Sequence, residues 1–384
     1  MRKLICLTRD LFTDKSYSIN YHLMLLIKCV LAGNGYEVVV YSCENEPQLS
    51  QDTVLKNLGF QELSDKVTFC YLTTMAPGKW VSCLSGGDIL LCQHYSFSDI
   101  LREVKERKPN MKIISWIHSI VQEEYLSGTI NGKNDAYIYI KQQNEQVRLS
   151  DLCIFDSQYD YQLGRLDFLH LSQTAVIYPV TDMDRYTDEW QDGKNDMFQD
   201  ENIKLGDLEL LFIGRWDYRK GLDSLIPCSF RLFMEHGLKT ILLTDGRQEY
   251  VLSDQAGRRQ FRSLVRSGGV QFESWKPNKR EYARFLCEKR RVAIMPSYYD
   301  PFNMAAYDCA ALGLPLVISN RCGVCEILDA SESLAICNPY DIETFYKQIC
   351  VTCESSSGSL SKHVLRYGLA EFEHDIHDLF YLRI

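Results

Sequence analysis

Two short stretches carry residue types suited to holding a phosphorylated ligand. The first, LLFIGRWDYRKGLDSL, sets Arg215 and Lys220 between an apolar run ending at Ile213 and a helical pattern starting at Leu222. The run reads as a buried strand, with Gly214 as the turn after it. Ligands of open α/β sheets sit at the carboxyl ends of strands. Arginine can fork onto two oxygens and lysine adds a mobile point charge, so two cations there suit a diphosphate. Taken alone, the loop reads better as a solvated basic turn.

The second stretch, VAIMPSYYDPFNMAAYDCAALGLPLVIS, changes that balance. A strand over Val292–Met295 leads into a loop carrying Asp300. A helix then begins near Phe302–Asn303 and stops at Gly313. The start of a helix offers unsatisfied N–H groups and the positive end of the macrodipole, which together form an anion site. Asp308, one to two turns in, is placed to accept hydrogen bonds from ribose hydroxyls. Singly, Asp300 would be a turn residue before Pro301 and Asp308 an exposed helical acid.

The elements that must position these residues follow a regular alternation. Strand candidates are Leu4–Thr8, Glu37–Ser42, Val67–Tyr71, Ile89–Gln93, Lys112–Ile117, Leu152–Asp156 and Thr174–Tyr178. A second series follows at Leu208–Ile213, Thr240–Thr244, Val270–Phe272, Val292–Met295 and Pro315–Ser319. These runs are buried-strand-like rather than alternating, as expected for parallel strands covered on both faces. Helical patterns lie between them, among them Ile19–Asn34, Phe97–Lys108, Leu222–His236 and Lys279–Glu288. Alternating β and α units predict a doubly wound α/β architecture. The expected division is residues 1–180, an acidic linker over 181–207, a second domain over 208–364 and a final segment over 365–384. That last segment is amphipathic (Leu369, Phe372, Ile376, Leu379, Phe380) and is expected to dock, with the first domain as one place for it.

Composition narrows the function. The chain has 384 residues, 46% hydrophobic and 24% charged, which suits two domains with their own cores. A net charge of −9 without a basic run argues against nucleic acid as a partner. Leu4 to Leu7 is too short for a signal h-region, and no window approaches a membrane span. A soluble cytoplasmic protein is expected. The 15 cysteines are odd in number and irregular in spacing, so they read as reduced small hydrophobes. Cys322 with Cys325 and Cys350 with Cys353 are taken as chance pairs rather than a metal site. Neither G-x-G-x-x-G nor G-x-x-x-x-G-K-[ST] is present, which disfavours a nicotinamide dehydrogenase or a P-loop ATPase.

The C-terminal half resembles the retaining glycosyltransferases of the GT-B fold, family 4. The resemblance rests on the GR-x4-KG loop (Gly214, Arg215, Lys220, Gly221) and the strand-end TDG (Thr244, Asp245, Gly246). It continues through PS-x2-[acid]-x-F, the helix ending in ALGLP, and C-G-x-x-E from Cys322 to Glu326. The resemblance implies two Rossmann-like domains facing a central cleft. It implies transfer of a sugar from a nucleotide-diphosphate donor to a hydroxyl acceptor (glycan, lipid-linked or small molecule), retaining and without metal or other cofactor. Arg215 and Lys220 would hold the diphosphate and stabilise the leaving nucleotide. Gly214, Asp245, Gly246 and the backbone of Phe302, Asn303 and Met304 would bind the donor, with Glu326 at the G-x-x-E turn. Asp300 and Asp308 match the family's E-x7-E acids, near the transferred sugar and at the ribose. His118, ending the strand in WIHS, matches a histidine that contacts the donor sugar's hydroxyls.

Three departures stand out. Both family glutamates are aspartates here, each reaching roughly 1.5 Å less. The Gly-Gly loop after the first strand is replaced by TRDLFTDKSYSINYH, which leaves acceptor contacts to Thr13, Tyr17 and their neighbours Asp10 and Lys15. Cys322 stands where the family has a glycine. These changes leave a catalytically silent scaffold homologue as the alternative, and a phosphorylase or epimerase on the same fold as a third reading. The basic stretch LREVKERKPNMK offers weak support for peripheral contact with the inner face of a membrane.

Overall fold

In the computed structural model, residues 1, 13–16, 34, 44–48, 73–76, 129, 131, 183–207, 245–251, 277, 332, 356–364 and 384 lie outside the described residues. The chain divides into two compact units. One comprises Met1–Tyr125, Ile130–Val180 and Leu369–Ile384, the other Thr181–Gly368 with Leu126–Thr129. Each is a parallel sheet wrapped by helices, so the α/β doubly wound expectation holds.

In unit 1 the strands are β1 (Arg2–Arg9), β2 (Tyr36–Cys43), β3 (Val67–Tyr71), β4 (Ile89–Cys92), β5 (Lys112–Ile117), β6 (Leu152–Phe155) and β7 (Gln173–Val176). Their order in the sheet is β3-β2-β1-β4-β5-β6-β7. In unit 2 they are β8 (Glu209–Ile213), β9 (Lys239–Thr244), β10 (Val270–Ser274), β11 (Arg291–Met295), β12 (Leu316–Ser319) and β13 (Leu334–Cys337), ordered β10-β9-β8-β11-β12-β13. Both orders reverse direction at one place, between β1 and β4 and between β8 and β11. The two loops that leave such a point diverge and open a crevice at the carboxyl edge.

The central strands are apolar because both faces are covered, whereas the edge strands β3, β7 and β10 carry exposed polar positions. Leu210 and Phe212 point to one face of unit 2 and Leu211 and Ile213 to the other, and all four are at most 2% exposed. The first pair packs with Leu222, Leu225, Ile226 and Leu232 of a helix over Leu222–His236, and with Phe345 and Ile349 of a helix over Ile342–Ser355. At about 25 cal/mol per Å² of apolar surface removed from water, layers of this kind supply most of the driving force. The strand β13 is absent from the expected set. It is an edge strand, paired to β12 alone among the described residues, and three of its four positions are at least partly exposed. Its sequence, LAIC, is nonetheless apolar at all four positions.

The chain end does not follow the expected boundary at residue 365. Leu365 bridges to Leu328 and stays with unit 2, and the helix starts at Leu369. From there Leu369–Asp378 and a terminal turn over Leu379–Arg383 pack within unit 1. Tyr36 Oη donates to the Phe380 carbonyl at 3.1 Å and Tyr381 Oη to Val30 at 2.8 Å. A side chain at Gly33 would meet the Tyr381 hydroxyl at 2.0 Å, which explains a glycine at that contact.

Candidate functional site

The β8 and β11 loops meet at the switch point of unit 2. Beyond Ile213, Gly214 N–H donates to Leu243 O at 3.1 Å, which holds the turn against the end of β9. Asp217 then caps a 3-10 turn over Tyr218–Lys220 by accepting from Lys220 N–H at 3.2 Å. Gly221 ends that turn at φ +75°, and a Cβ there would lie 1.9 Å from the Pro296 carbonyl oxygen. Only glycine permits both the left-handed backbone and this close approach. Tyr298 N–H completes the join by donating to Arg219 O at 2.7 Å.

That join delivers Lys220 to Asp300. Nζ lies 2.5 Å from Oδ2, with the two side chains 14% and 7% exposed. Burial pushes the Asp300 carboxyl up, but the charges of Lys220, Arg219 and Arg215 outweigh it and hold the group below its ordinary value. Asp300 is fixed from the other side as well. Its N–H donates to Arg321 O, and its carbonyl accepts from Gly323 N–H. Arg215 differs from Lys220 in being half-exposed, with Asp217 Oδ2 at 3.4 Å.

The helix beyond runs over Met304–Ala311, capped by Asn303. Asn303 sits at φ +76°, a backbone that asparagine tolerates better than most residues, and its Oδ1 accepts from Ala306 N–H at 3.1 Å. Phe302 is buried, and its carbonyl accepts from Val324 N–H at 2.8 Å. Cys322 has φ −117°, so this backbone has no need of the family's glycine, and its thiol lies 3.7 Å from Asn303 Nδ2. Burial raises that thiol well above its ordinary range. Glu326 closes the 3-10 turn over Gly323–Glu326 and is partly buried.

Asp308 is 2% exposed, so it is not the solvated helical acid its position first suggests. Its Oδ2 pairs with Lys279 Nζ at 3.0 Å, while its Oδ1 is buried with no hydrogen-bond partner. A buried acceptor left unmet costs about 1–3 kcal/mol, and this oxygen is closed off from the surface. Lys279 was not legible as a site residue. It opens a helix over Lys279–Cys287 and touches residue 308 only through the fold.

Unit 1 holds a different constellation at its own carboxyl edge. His118 follows β5, and its Nδ1 lies 3.1 and 3.2 Å from the two oxygens of Asp156, which follows β6. Trp116 Nε1 donates to Asp156 Oδ1 at 2.7 Å, and Gln93 Nε2 lies 3.2 Å from His118 Nε2. Gln93 and Asp156 were read only as strand ends. Nearby, His94 Nδ1 accepts from Ser96 N–H at 3.1 Å; burial, with Arg9 and His118, pushes its pKa down to about 4. Where the family has Gly-Gly, Asp10 adopts φ +56° and Phe12 turns inward against Tyr71. Thr13, Asp245 and Gly246 lie outside the described residues, as does the side chain of Tyr17, whose backbone opens the first helix.

The two C-x2-C pairs separate in the fold. Cys322 caps the site's 3-10 turn and Cys325 lies within it, while Cys350 and Cys353 lie on the Ile342–Ser355 helix. Among the described residues no group of three or more His, Cys, Asp or Glu is arranged for a metal ion, and no helix is long and apolar enough to cross a membrane.

Comparison with known structures shows the GT-B fold. A sucrose-phosphate synthase from Thermosynechococcus elongatus superposes with a TM-score of 0.66 at 16% identity, over 99% of this chain and 95% of that one. The Anabaena protein HepE, solved with UDP and glucose, gives 0.65 at 14% identity, over 99% of each. By sequence, a glycogen synthase of Mycobacterium tuberculosis is 31% identical over 142 residues, 36% of this chain. The 2-deoxystreptamine N-acetyl-D-glucosaminyltransferase of Niallia circulans is 24% identical over 164 residues, 41% of this chain and 40% of its own length. The matched segment spans about a third (32%) of the length of that glycogen synthase. Residues 193–356, which contain the whole β8/β11 site, match the model of the family described as Glycosyl transferases group 1.

Proposed function

We propose that the protein is a retaining glycosyltransferase, taking a nucleotide-diphosphate sugar at the β8/β11 switch point and passing the sugar to a hydroxyl acceptor. The observation that carries this reading is the convergence of Arg215, Lys220 and the Asn303-capped helix start on one carboxyl edge. The half-exposed guanidinium of Arg215 and the helix N–H groups suit the phosphates.

Negative charge builds on the β-phosphate as the glycosidic bond breaks, and cations held in place stabilise it without reorganising. Lys220 is so held, by Asp300. The pair has a second consequence: the shorter aspartate still reaches its lysine, so the loss of one methylene does not disconnect the site. Metal independence follows as an expectation from this cationic clamp. UDP-sugars are the first donors to try, since solved relatives of this fold carry UDP or a UDP-sugar.

A silent homologue is the competing reading, favoured by the neutralisation of both Lys220 and Lys279 by buried aspartates. A panel of UDP-, GDP- and ADP-sugars separates the two. Thermal shift should find a donor that stabilises the protein. Turnover with a sugar acceptor should then give a product whose anomeric configuration, read by NMR, matches the donor's. Wild-type turnover by Lys220→Ala and Asp300→Ala proteins would sink the assignment, and binding without turnover would favour the silent reading.

A further inference from the structure

We propose that Asp156 is a positioning residue for His118. It holds the imidazole proton on Nδ1 and leaves Nε2 as an acceptor for a hydroxyl of a sugar ligand. This rests on the glycosyltransferase reading for the ligand's identity, but not for the hydrogen-bond chain itself.

The sheet brings the chain together. Strands β4, β5 and β6 are neighbours, and Ile117 is in register with Phe155. His118 and Asp156 are therefore the next residues past the end of two paired strands, and Gln93 leaves the third. Trp116, two residues before His118, shares its side of β5. The rings of Trp116 and His118 lie 5.1 Å apart at 31°.

The donor and acceptor inventory then assigns the proton. Asp156 is 5% exposed and, as a carboxylate, can only accept. It takes one bond from Trp116 Nε1 and faces His118 Nδ1 with both oxygens, so Nδ1 must carry hydrogen. Gln93 presents its amide nitrogen to Nε2, and an amide nitrogen can only donate. With the amide set this way, Nε2 accepts from it. The other end of the same amide, Gln93 Oε1, is buried without a partner. The Gln93 contact is thus the weak link of the chain. A ligand hydroxyl that donates to Nε2 would take the place of the Gln93 amide.

The alternative assignment fails on the same inventory. With the proton on Nε2, the ring would set its Nδ1 lone pair against a carboxylate, whichever way the Gln93 amide is turned. A repulsive contact would replace the hydrogen bond to Asp156. The titratable groups that face the ring are Asp156, just past β6, and His94, which follows β4 and is neutral near pH 7. Arg9, ending β1, acts on His94.

The tautomer is directly observable. Long-range 15N–1H correlation on histidine-labelled protein at pH 7.5, assigned with a His118→Asn variant, should show His118 protonated on Nδ1. Protonation on Nε2, or on both nitrogens, overturns the proposal, and this measurement needs no altered Asp156. An Asp156→Asn side chain can donate to Nδ1, so in that variant the proton should move to Nε2. The apparent KM for the sugar ligand that meets His118, with the two substrates titrated separately, should rise by about ten- to a hundredfold, more than kcat falls. In a His118→Ala background the same change should do nothing further. An equal loss in both backgrounds would show a merely structural Asp156. If the wild-type protein turns over no sugar at all, the proposed function fails, while the tautomer measurement still decides the role of Asp156.

Discussion

Unit 1 and unit 2 wind their strands in the same order and reverse at the same point, but their carboxyl edges carry opposite chemistry. Past β8 and β11 the side chains are ions: Arg215, Lys220, Asp300 and Asp308, joined by Lys279 from the helix after β10, with two lysine–aspartate pairs largely buried. Past β4, β5 and β6 the chain is Gln93–His118–Asp156–Trp116, and a neighbouring histidine is held neutral. One fold therefore supports a charged clamp in one copy and a hydrogen-bond relay in the other, because topology creates a crevice and the loop residues decide what fills it. The same two strands of unit 2 also show the division of labour along a sheet. At their amino ends, Arg291 and Glu209 pair at 3.1 Å, with Arg291 stacked 4.2 Å over Phe285. That pair faces away from the ligand edge and serves packing.

The comparison breaks most visibly at Asp300. Replacing it by alanine strands Lys220 as an uncompensated, largely buried charge, and should cost about 3–5 kcal/mol in urea unfolding as well as donor affinity. A Lys220→Met, Asp300→Asn protein should recover most of the stability and none of the affinity. If it recovers both, the pair is structural and the clamp reading is wrong. Gly221→Ala comes next. It forces a side chain into the left-handed region and onto the Pro296 carbonyl, for an expected loss of about 2–4 kcal/mol by the same assay. A loss below half a kcal/mol would mean that the two loops are not pressed together.

Asn303→Ala removes a cap and leaves a left-handed backbone without its usual residue, for about 1–2 kcal/mol. Calorimetry should also show weaker binding of nucleoside diphosphates, and unchanged binding would remove the helix start from the site. Arg215→Ala should shift stability by no more than about half a kcal/mol, since the side chain is half-exposed. Its effect belongs in donor affinity and in the salt dependence of that affinity.

The smallest effect at neutral pH lies in unit 1. His94 has a folded pKa near 4, below its ordinary 6.5, so the folded state favours the neutral ring. Its contribution is fully present above about pH 6.5 and is lost as pH falls through about 4, where protonated Nδ1 can no longer accept from Ser96. A His94→Gln protein should show a shallower fall in stability over that window. An identical slope would remove His94 as its source.

Much of this was written in the order of residues. Continuous apolar runs such as LLFI and VAIM can only be strands covered on both faces, and glycine at 221 and asparagine at 303 sit where the backbone turns left-handed. The cationic loop and the helix start were legible for the same local reason: a strand end, a turn and a cap are encoded within a few neighbouring positions. The edge strand over Leu334–Cys337 is apolar at every position, LAIC, but so short a run carries no periodicity that marks it as a strand. What only the tertiary structure decided are the pairings across long separations. Lys220 meets Asp300, Lys279 meets Asp308, and Gln93, His118 and Asp156 line up, because parallel strands bring distant strand ends to one edge. No local pattern records such partners, since each side chain is specified by its own position and its charge is balanced only after the sheet has formed.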